Sequence, residues 1–231
     1  MLAAFARSQM ALALALLSLT TLACAGTRQT RETPAESGFL SDYSKLAPGG
    51  DDRAQLLYIQ PGLSLADYQS LKLEPVKLYA GAKDSDLAKL SREDQQMLAD
   101  RLHTALADAL SKDWTLTDQA GPGVLVVRGA LTEAKGSNVA LDIVATWIPQ
   151  VRLLSTAVGL GADTALTVGK VRGEAEVLDG ATGKQLLAAV DERVGTRGIE
   201  GVTDKWSDVQ MAFDDWAERI RLRLAEHRAP K

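Results

Sequence analysis

The single cysteine of this 231-residue chain, Cys24, constrains its fold more than any other feature. One cysteine cannot form a disulfide within the chain, so the fold has to be held by a hydrophobic core. An apolar stretch without acidic or basic residues, Met10–Ala23, comes directly before Cys24, and Arg7 is the only charged side chain ahead of it. This stretch is shorter than the roughly 20 apolar residues that span a bilayer. Residues 1–23 are therefore predicted to be an export signal peptide.

The residues around Cys24 predict lipidation. Small Ala23 before the cysteine resembles the lipobox that lipoprotein signal peptidase cuts between Ala23 and Cys24, although Thr21 replaces the usual leucine. An ordinary secretory signal cut near Ala25 or Gly26 is the alternative. A lipidated Cys24 would carry a diacylglycerol thioether and an N-acyl group such as palmitate, and several acyl chains anchor a protein stably. In Gram-negative lipoproteins an Asp after the cysteine retains the protein at the inner membrane, so Ala25 implies the outer membrane.

The composition bounds what the exported part can be. After removal of residues 1–23, 208 residues remain, with 30 acidic and 25 basic side chains. This length supports one domain with its own core. A mildly acidic, evenly mixed chain argues against nucleic-acid binding, which needs a clustered basic face. We expect a lipidated cysteine and flexible tether over residues 24–37, then a single α+β domain over 38–231 that begins with an irregular arm, Gly38–Pro48.

Hydrophobic periodicity predicts the elements of that domain. Leu90–Lys112 is predicted to be a helix capped by Ser91, and Thr203–Glu226 a closing helix capped by Thr203 or Asp204. Pro75 is expected to interrupt a strand over Gln69–Tyr79. The other predicted strands are Leu56–Ile59, Trp114–Thr117, Val124–Glu133, Val139–Thr146, Val171–Leu178 and Gln185–Val194, with a hairpin loop at Asp179–Lys184. The predicted fold is α+β: an antiparallel sheet of about five to six strands with two helices packed on one face, in the order strand, helix, strands, helix.

Few residues are candidates for chemistry. The two histidines, His103 and His227, have no ligand partner at helical spacing, and His227 falls in an expected frayed tail. With Cys24 used for lipid, no nucleophile–histidine arrangement is indicated. Gly159-Leu160-Gly161 and Gly183-Lys184 lack the remaining residues of phosphate-binding motifs. We expect no catalytic residue, no metal and no cofactor, and a protein that is not an enzyme.

The remaining polar and aromatic residues are assigned by face. Strand and helix periodicity predicts solvent-exposed positions for the carboxylates Glu174, Glu176, Asp208, Asp214, Asp215 and Glu218. Phe213 and Trp216 are expected in the core, rather than in a ligand-binding patch with Trp206. Segment Trp147–Gly169 is apolar and longer than a usual connection. It is interpreted as an insertion that completes the core, or alternatively as a mobile loop that contacts membrane, ligand or partner.

Four stretches together carry a family resemblance: GFLSDYSKL, LLYIQPGLSLADYQSLKLEPVKLY, GEAEVLDGATGKQLLAAV and WSDVQMAFDDWAERIRLRL. With these segments the chain resembles an uncharacterised family of bacterial lipoproteins of unknown function, the DUF3313 type. The resemblance implies an extracytoplasmic lipoprotein and supplies no catalytic residues. The order of elements is also similar to small domains of other envelope lipoproteins, including some that assemble into rings, which is an analogy of fold alone.

The resulting hypothesis is a non-catalytic lipoprotein of the cell outer membrane, lipid-anchored and facing the periplasm. It would act as a periplasmic binding or envelope-assembly accessory with an envelope protein partner. The alternative is a subunit of an oligomeric ring or pore-like envelope assembly, so a homo-oligomer stays open.

Overall fold

The computed structural model describes residues 27–30, 32–50, 53–80, 85–136, 169–195 and 206–228. Several predicted features lie outside these residues: the signal peptide, Cys24, the strand Val139–Thr146, the Gly159–Gly161 motif, all of Trp147–Gly169 except its last residue, and the caps Thr203 and Asp204. The described strands are β1 (Thr27–Gln29), β2 (Ala47–Pro48), β3 (Leu56–Ile59), β4 (Ser70–Leu73), β5 (Lys77–Leu78), β6 (Thr115–Leu116), β7 (Val124–Lys135), β8 (Lys170–Asp179) and β9 (Gln185–Gly195). The helices are α1 (Asp86–Lys89), α2 (Arg92–Leu110) and α3 (Ser207–Arg228).

Three long antiparallel strands form the centre of the sheet. Its order is β2-β3-β9-β8-β7-β4-β6, with β1 also paired to β9 and β5 also paired to β7. The pairs β4–β7, β5–β7 and β4–β6 are parallel. Over the described residues the sheet is therefore mixed and nine-stranded, and it is accompanied by three helices. The prediction of an antiparallel sheet of five to six strands with two helices was wrong.

The parallel pairs have a topological cause. Two parallel neighbours need a crossover connection, which is usually helical. Here α1 and α2 lie between β5 and β7 in the chain and carry it across one face of the sheet before β7 returns beside β4 and β5. Residue alternation does not reveal a strand's partner or direction. Strands of two or three residues, such as β2, β5 and β6, are too short to show a periodic pattern at all.

Several local predictions were confirmed. The Ser91 hydroxyl accepts a hydrogen bond from the amide of Asp94 at 3.0 Å, so Ser91 caps α2. Pro75 lies between β4 and β5, where the ladder is broken. The loop from Asp179 to Lys184 joins β8 to β9, and Gly183 adopts a φ of 72° there.

Both ends of the described part of the chain lie in regular secondary structure. Thr27–Gln29 pairs with Arg193–Gly195 of β9, so the sheet begins within the segment for which composition predicted a flexible tether. His227 lies in the last turn of α3, and its carbonyl accepts a hydrogen bond from the amide of Leu65 at 2.8 Å. The prediction of a frayed tail at His227 was therefore wrong, because the helix end contacts the loop before β4.

Both faces of the sheet are covered. Helices α2 and α3 pack against each other and against one face, where the main core includes Leu106, Val127 and Phe213. The predicted irregular arm, Gly38–Pro48, packs on the other face, where Phe39 and Leu40 contact a second cluster formed by Ala130, Ala188 and Val190. Each of these two arm side chains is about 94 % buried, and a side chain buried to this degree contributes about 1.5–3 kcal/mol.

Candidate binding cavity

A cavity of about 130 Å³ lies between the helical face of the sheet and α3. Its floor is a row of small residues, because Gly129, Ala175 and Ala189 are direct cross-strand neighbours on β7, β8 and β9. Leu57 of β3 pairs with Ala189 at the edge of this floor. Side chains this small leave space beneath the helices that Leu or Val at the same positions would fill. The walls are apolar: Leu57, Ile59, Leu102, Leu106, Trp216, Ile220 and Leu224.

Trp216 reaches the sheet at one end of the cavity. A Cβ on Gly173 would lie 2.9 Å from Cζ3 of Trp216, so the glycine is what lets the indole ring lie against the strand. The Trp216 Nε1–H donates to Oδ2 of Asp191 at 2.7 Å. The size of residue 173 and the register of β8 against β9 together fix the position of this ring.

Asp191 is a buried carboxylate whose two oxygens are both hydrogen-bonded. Oδ1 accepts from Nε2 of Gln29 at 2.6 Å and from the amide of Gln55 at 3.1 Å. Oδ2 accepts from the Trp216 indole and, at 2.7 Å, from Nε of Arg193. Buried charges are tolerated when they are paired in this way. Asp191 therefore connects β1, the segment before β3 and α3, and its hydrogen-bonding capacity is used within the protein.

The mouth of the cavity is cationic. Arg219 and Arg223 of α3 line it with side chains 34 % and 30 % exposed, and exposed Arg53 lines it from the loop before β3. Arg219 pairs with Asp215 and Arg223 with Glu226, both at 2.7 Å. None of the ion pairs between described residues at this mouth involves Arg53. The mouth therefore carries three arginine side chains, and ion pairs among the described residues neutralise two of them.

Glu174 and Glu176, on the opposite face, are 2 % and 1 % exposed. The prediction that they are solvent-exposed was wrong, because the N-terminal arm covers this face. Glu176 accepts hydrogen bonds from Nη1 of Arg128 at 2.6 Å, from Nε2 of Gln185 at 3.0 Å, and from the amide and hydroxyl of Ser41, both at 3.0 Å. Both glutamates of β8 are therefore buried, and the arm together with Arg128 and Gln185 supplies the hydrogen bonds of Glu176.

Tyr43 completes this attachment of the arm. Its hydroxyl donates to Glu174 and accepts hydrogen bonds from the amides of Gly38, Phe39 and Leu40 at 3.0, 2.8 and 3.1 Å. Burial raises the pKa of Tyr43, and the hydrogen bond to Glu174 raises it further. The phenol thus stays protonated and links the arm backbone to the sheet.

The carboxylates of α3 differ in their solvent exposure. Asp208 is 4 % exposed, and its Oδ2 accepts a hydrogen bond from the amide of Gly169 at 3.0 Å, so its predicted exposure was wrong. The cause is that the first turn of α3 lies against the end of the sheet, next to Gly169 and Gly195. Asp214 is exposed, and Asp215 and Glu218 are partly exposed, close to the prediction.

The other residues considered for function are distributed over the domain. His103 is partly buried in α2, and His227 is partly exposed at the end of α3. Among the described residues no group of three or more His, Cys, Asp and Glu could hold a metal ion. Trp206, Phe213 and Trp216 are buried, and the rings of Phe213 and Trp216 are 6.0 Å apart, which confirms core packing for the latter two. Trp216 in addition lines the cavity.

Sequence reasoning missed the cavity. The signal was present in β8, where the alternation of Val171, Gly173, Ala175 and Val177 puts two very small residues on one face. It could not be read as a cavity, because the row forms only when the register places Gly129 and Ala189 on either side of Ala175.

The fold and the cavity define a domain in which a mixed sheet and its packed helices enclose a small apolar site, with an arm on the opposite face. The chain belongs to the DUF3313 family, described as a protein of unknown function, which it matches over residues 35–220. It is 24 % identical over 184 residues to the uncharacterized lipoprotein YdcL of Escherichia coli strain K12, across 78 % of this chain and 81 % of the relative, and equally to YdcL of strain O157:H7. These findings make the chain a lipoprotein of unknown function.

Among solved structures, the chain is similar to two PelC dodecamers from Paraburkholderia phytofirmans. The dodecamer of a singly substituted PelC in space group C2 matches with a TM-score of 0.40, and the PelC dodecamer in space group P6 with 0.39. In both comparisons the identity is 13 %, over 71 % of this chain and 94 % of the other. Within the described residues, no helix of this chain combines the length and the apolar character needed to cross a membrane.

Proposed function

We propose that this protein is a non-catalytic lipoprotein of the outer membrane, anchored through Cys24 and facing the periplasm. In this proposal it serves as a binding or envelope-assembly accessory. The observation that carries the proposal is the start of β1 at Thr27, three residues after the predicted lipidated cysteine. Three residues span at most about 10 Å. An anchor at Cys24 would therefore hold the paired end of β9 close to the membrane, with little freedom to move away.

The cavity supports a binding function, and the hydrogen bonding of the buried carboxylates supports the absence of catalysis. Ligand sites are concave and mostly apolar, with a few polar groups that orient the ligand. The cavity has apolar walls and arginines at its mouth. The buried carboxylates Glu176 and Asp191 each accept four hydrogen bonds from neighbouring protein groups. These bonds give them a structural role, in holding the arm and α3 to the sheet.

Lipidation and location are tested together. The full-length protein and Cys24→Ser are expressed in a Gram-negative host, and the intact mass and the membrane fraction of each are measured. We expect the wild type to gain the mass of the lipid and to sediment with the outer membrane, while Cys24→Ser does neither. Ala25→Asp is the matched variant: it should stay lipidated and move to the inner membrane. Equal masses and equal fractionation of wild type and Cys24→Ser would contradict the anchor.

The envelope partner is a separate part of the proposal. Because the tether is short, a partner would have to lie within reach of a domain held at the membrane surface. Photo-crosslinking in intact cells tests whether such a partner exists. The photoreactive residue is placed at exposed Asp214 and, as the control, at buried Ala212. A specific crosslinked species from position 214 alone supports a partner at α3, and identical patterns from both positions argue against one.

A further inference from the structure

We infer that the cavity binds a single-chain anionic amphiphile, with the alkyl chain inside and the carboxylate or phosphate head at the arginines of the mouth. This inference goes beyond the proposed function and does not depend on where the anchor places the protein. Three features carry it: the shape of the cavity, the nature of its walls and the charge at its mouth.

The shape favours a linear chain. The lining residues of α3 run from Trp216 to Leu224, a distance of about 12 Å at the helical rise of 1.5 Å per residue. A volume of about 130 Å³ spread along this length is narrow. An engineered cavity of similar volume but compact shape holds a benzene molecule. A narrow, elongated space of this volume accommodates part of one alkyl chain better than a ring.

The walls favour an apolar occupant over water. An ordered buried water needs two to four polar partners. The cavity is lined by Leu57, Leu106, Leu224 and residues like them, and Asp191 at its end is already fully hydrogen-bonded. Among the described residues, none of the buried polar side-chain atoms without a partner belongs to a residue that lines this cavity. Each methylene moved from water into this space is stabilised by the hydrophobic effect.

The mouth favours an anionic head group. Arg53 lines it from the loop before β3, and Arg219 and Arg223 line it from α3; among the described residues, no ion pair of Arg53 is found there. Guanidinium groups bind carboxylate and phosphate through paired hydrogen bonds. A head group of either kind would be held at the surface while its chain lies along α3 between Trp216 and Leu224.

The test uses contact quenching of Trp216. The full-length protein in phosphatidylcholine nanodiscs is titrated with 11-bromoundecanoate, whose bromine quenches tryptophan fluorescence at short range. The titration uses a Trp147→Phe background, in which we expect a saturable decrease that is absent when Trp216→Phe is added, since Trp114 and Trp206 do not line the cavity. Thermal unfolding followed by circular dichroism shows that each variant is folded.

Two further variants separate the chain from the head group. Ala175→Leu fills the floor of the cavity and should raise the half-saturation concentration by about tenfold or more. Arg53→Glu reverses the charge at the mouth and should raise it by roughly three- to tenfold, whereas Arg101→Glu, exposed on α2, is the matched control and should leave it unchanged. Unchanged quenching in Ala175→Leu would overturn the inference.

Competition identifies the head group and its source. Dodecanoate should displace the probe, and cationic dodecyltrimethylammonium should not. Equal displacement by the two overturns the anionic assignment. If lysophosphatidylglycerol displaces the probe at a lower concentration than dodecanoate does, the ligand derives from a phospholipid. If dodecanoate acts at the lower concentration, the ligand is a free fatty acid. Failure of lipidation at Cys24 would change the fractionation and leave this quenching intact, so the two proposals fail separately.

Discussion

Replacing Glu176 with alanine is the sharpest test of how the arm is held to the sheet. The side chain is 1 % exposed and accepts four hydrogen bonds, from Arg128, Gln185 and two atoms of Ser41. Alanine removes every one of these acceptors. Arg128 is left with Glu74, whose nearest oxygen is 3.5 Å from its Nε, and the arm loses its attachment at Ser41.

The magnitude follows from the burial of the pair. Removing one partner of a buried ion pair costs about 3–5 kcal/mol, because the remaining charge is buried without compensation. Arg128 is 24 % exposed, so part of its charge is solvated and the lower end of that range applies, about 3 kcal/mol. Glu176→Gln keeps the shape and one acceptor and should lose less, about 1–2 kcal/mol.

Urea unfolding of the full-length protein measures these free energies. Glu36→Ala is the matched control, since Glu36 lies on the same N-terminal segment and is exposed; its effect should stay within about 0.5 kcal/mol. Arg128→Met combined with Glu176→Ala should be less destabilising than the sum of the single changes. If Glu176→Ala destabilised the protein no more than Glu36→Ala, the carboxylate would be solvated and the account of the arm would be wrong.

Three further predictions concern packing, ionisation and assembly. Gly173→Ala should destabilise the protein by about 1–3 kcal/mol, because its Cβ would lie 2.9 Å from the Trp216 ring. Gly129→Ala has its nearest contacts at 3.9 Å and should destabilise the protein by less than about 1 kcal/mol. Thermal unfolding compares the two variants. Burial, followed by the hydrogen bond to Asp179, raises the pKa of Tyr68 to about 12. A raised phenol pKa means that the folded state holds the proton more tightly, so stability present below about pH 10 should fall as the pH rises toward 12. Tyr68→Phe should lack that part of the decline. An identical profile of stability against high pH in the variant would contradict this role of Tyr68. The ring or pore alternative predicts oligomers of the detergent-solubilised protein that persist at nanomolar concentration, and mass photometry showing monomers throughout would exclude it.

Much of the local structure could be predicted from the sequence. The Ser91 cap, the break at Pro75 and the loop Asp179–Lys184 depend on residues within a few positions of each other, whose conformational preferences act in any fold. The apolar stripe of α2 likewise follows from spacing alone. The family resemblance was also carried by contiguous stretches, and the match over residues 35–220 confirmed it.

The carboxylates show where this reasoning stops. Alternation in β8 correctly placed Glu174 and Glu176 on one face, and that face was taken to be exposed because it is polar. The arm that buries it comes from residues more than 130 positions earlier in the chain. Period-two alternation distinguishes the two faces of a strand, but it does not show whether another segment covers each of them.

By itself, the sequence determined the two long helices and the long strands of the described chain, the Ser91 cap and the absence of any disulfide within the chain, because these follow from neighbouring residues or from composition. Only the tertiary structure decided the parallel pairing of β4 and β5 with β7, the burial of Glu174 and Glu176, and the cavity above Gly129, Ala175 and Ala189. Each of these depends on register and on contacts between distant segments. Their energies are set by which surfaces meet when the whole chain folds, and no local pattern of residues records that choice.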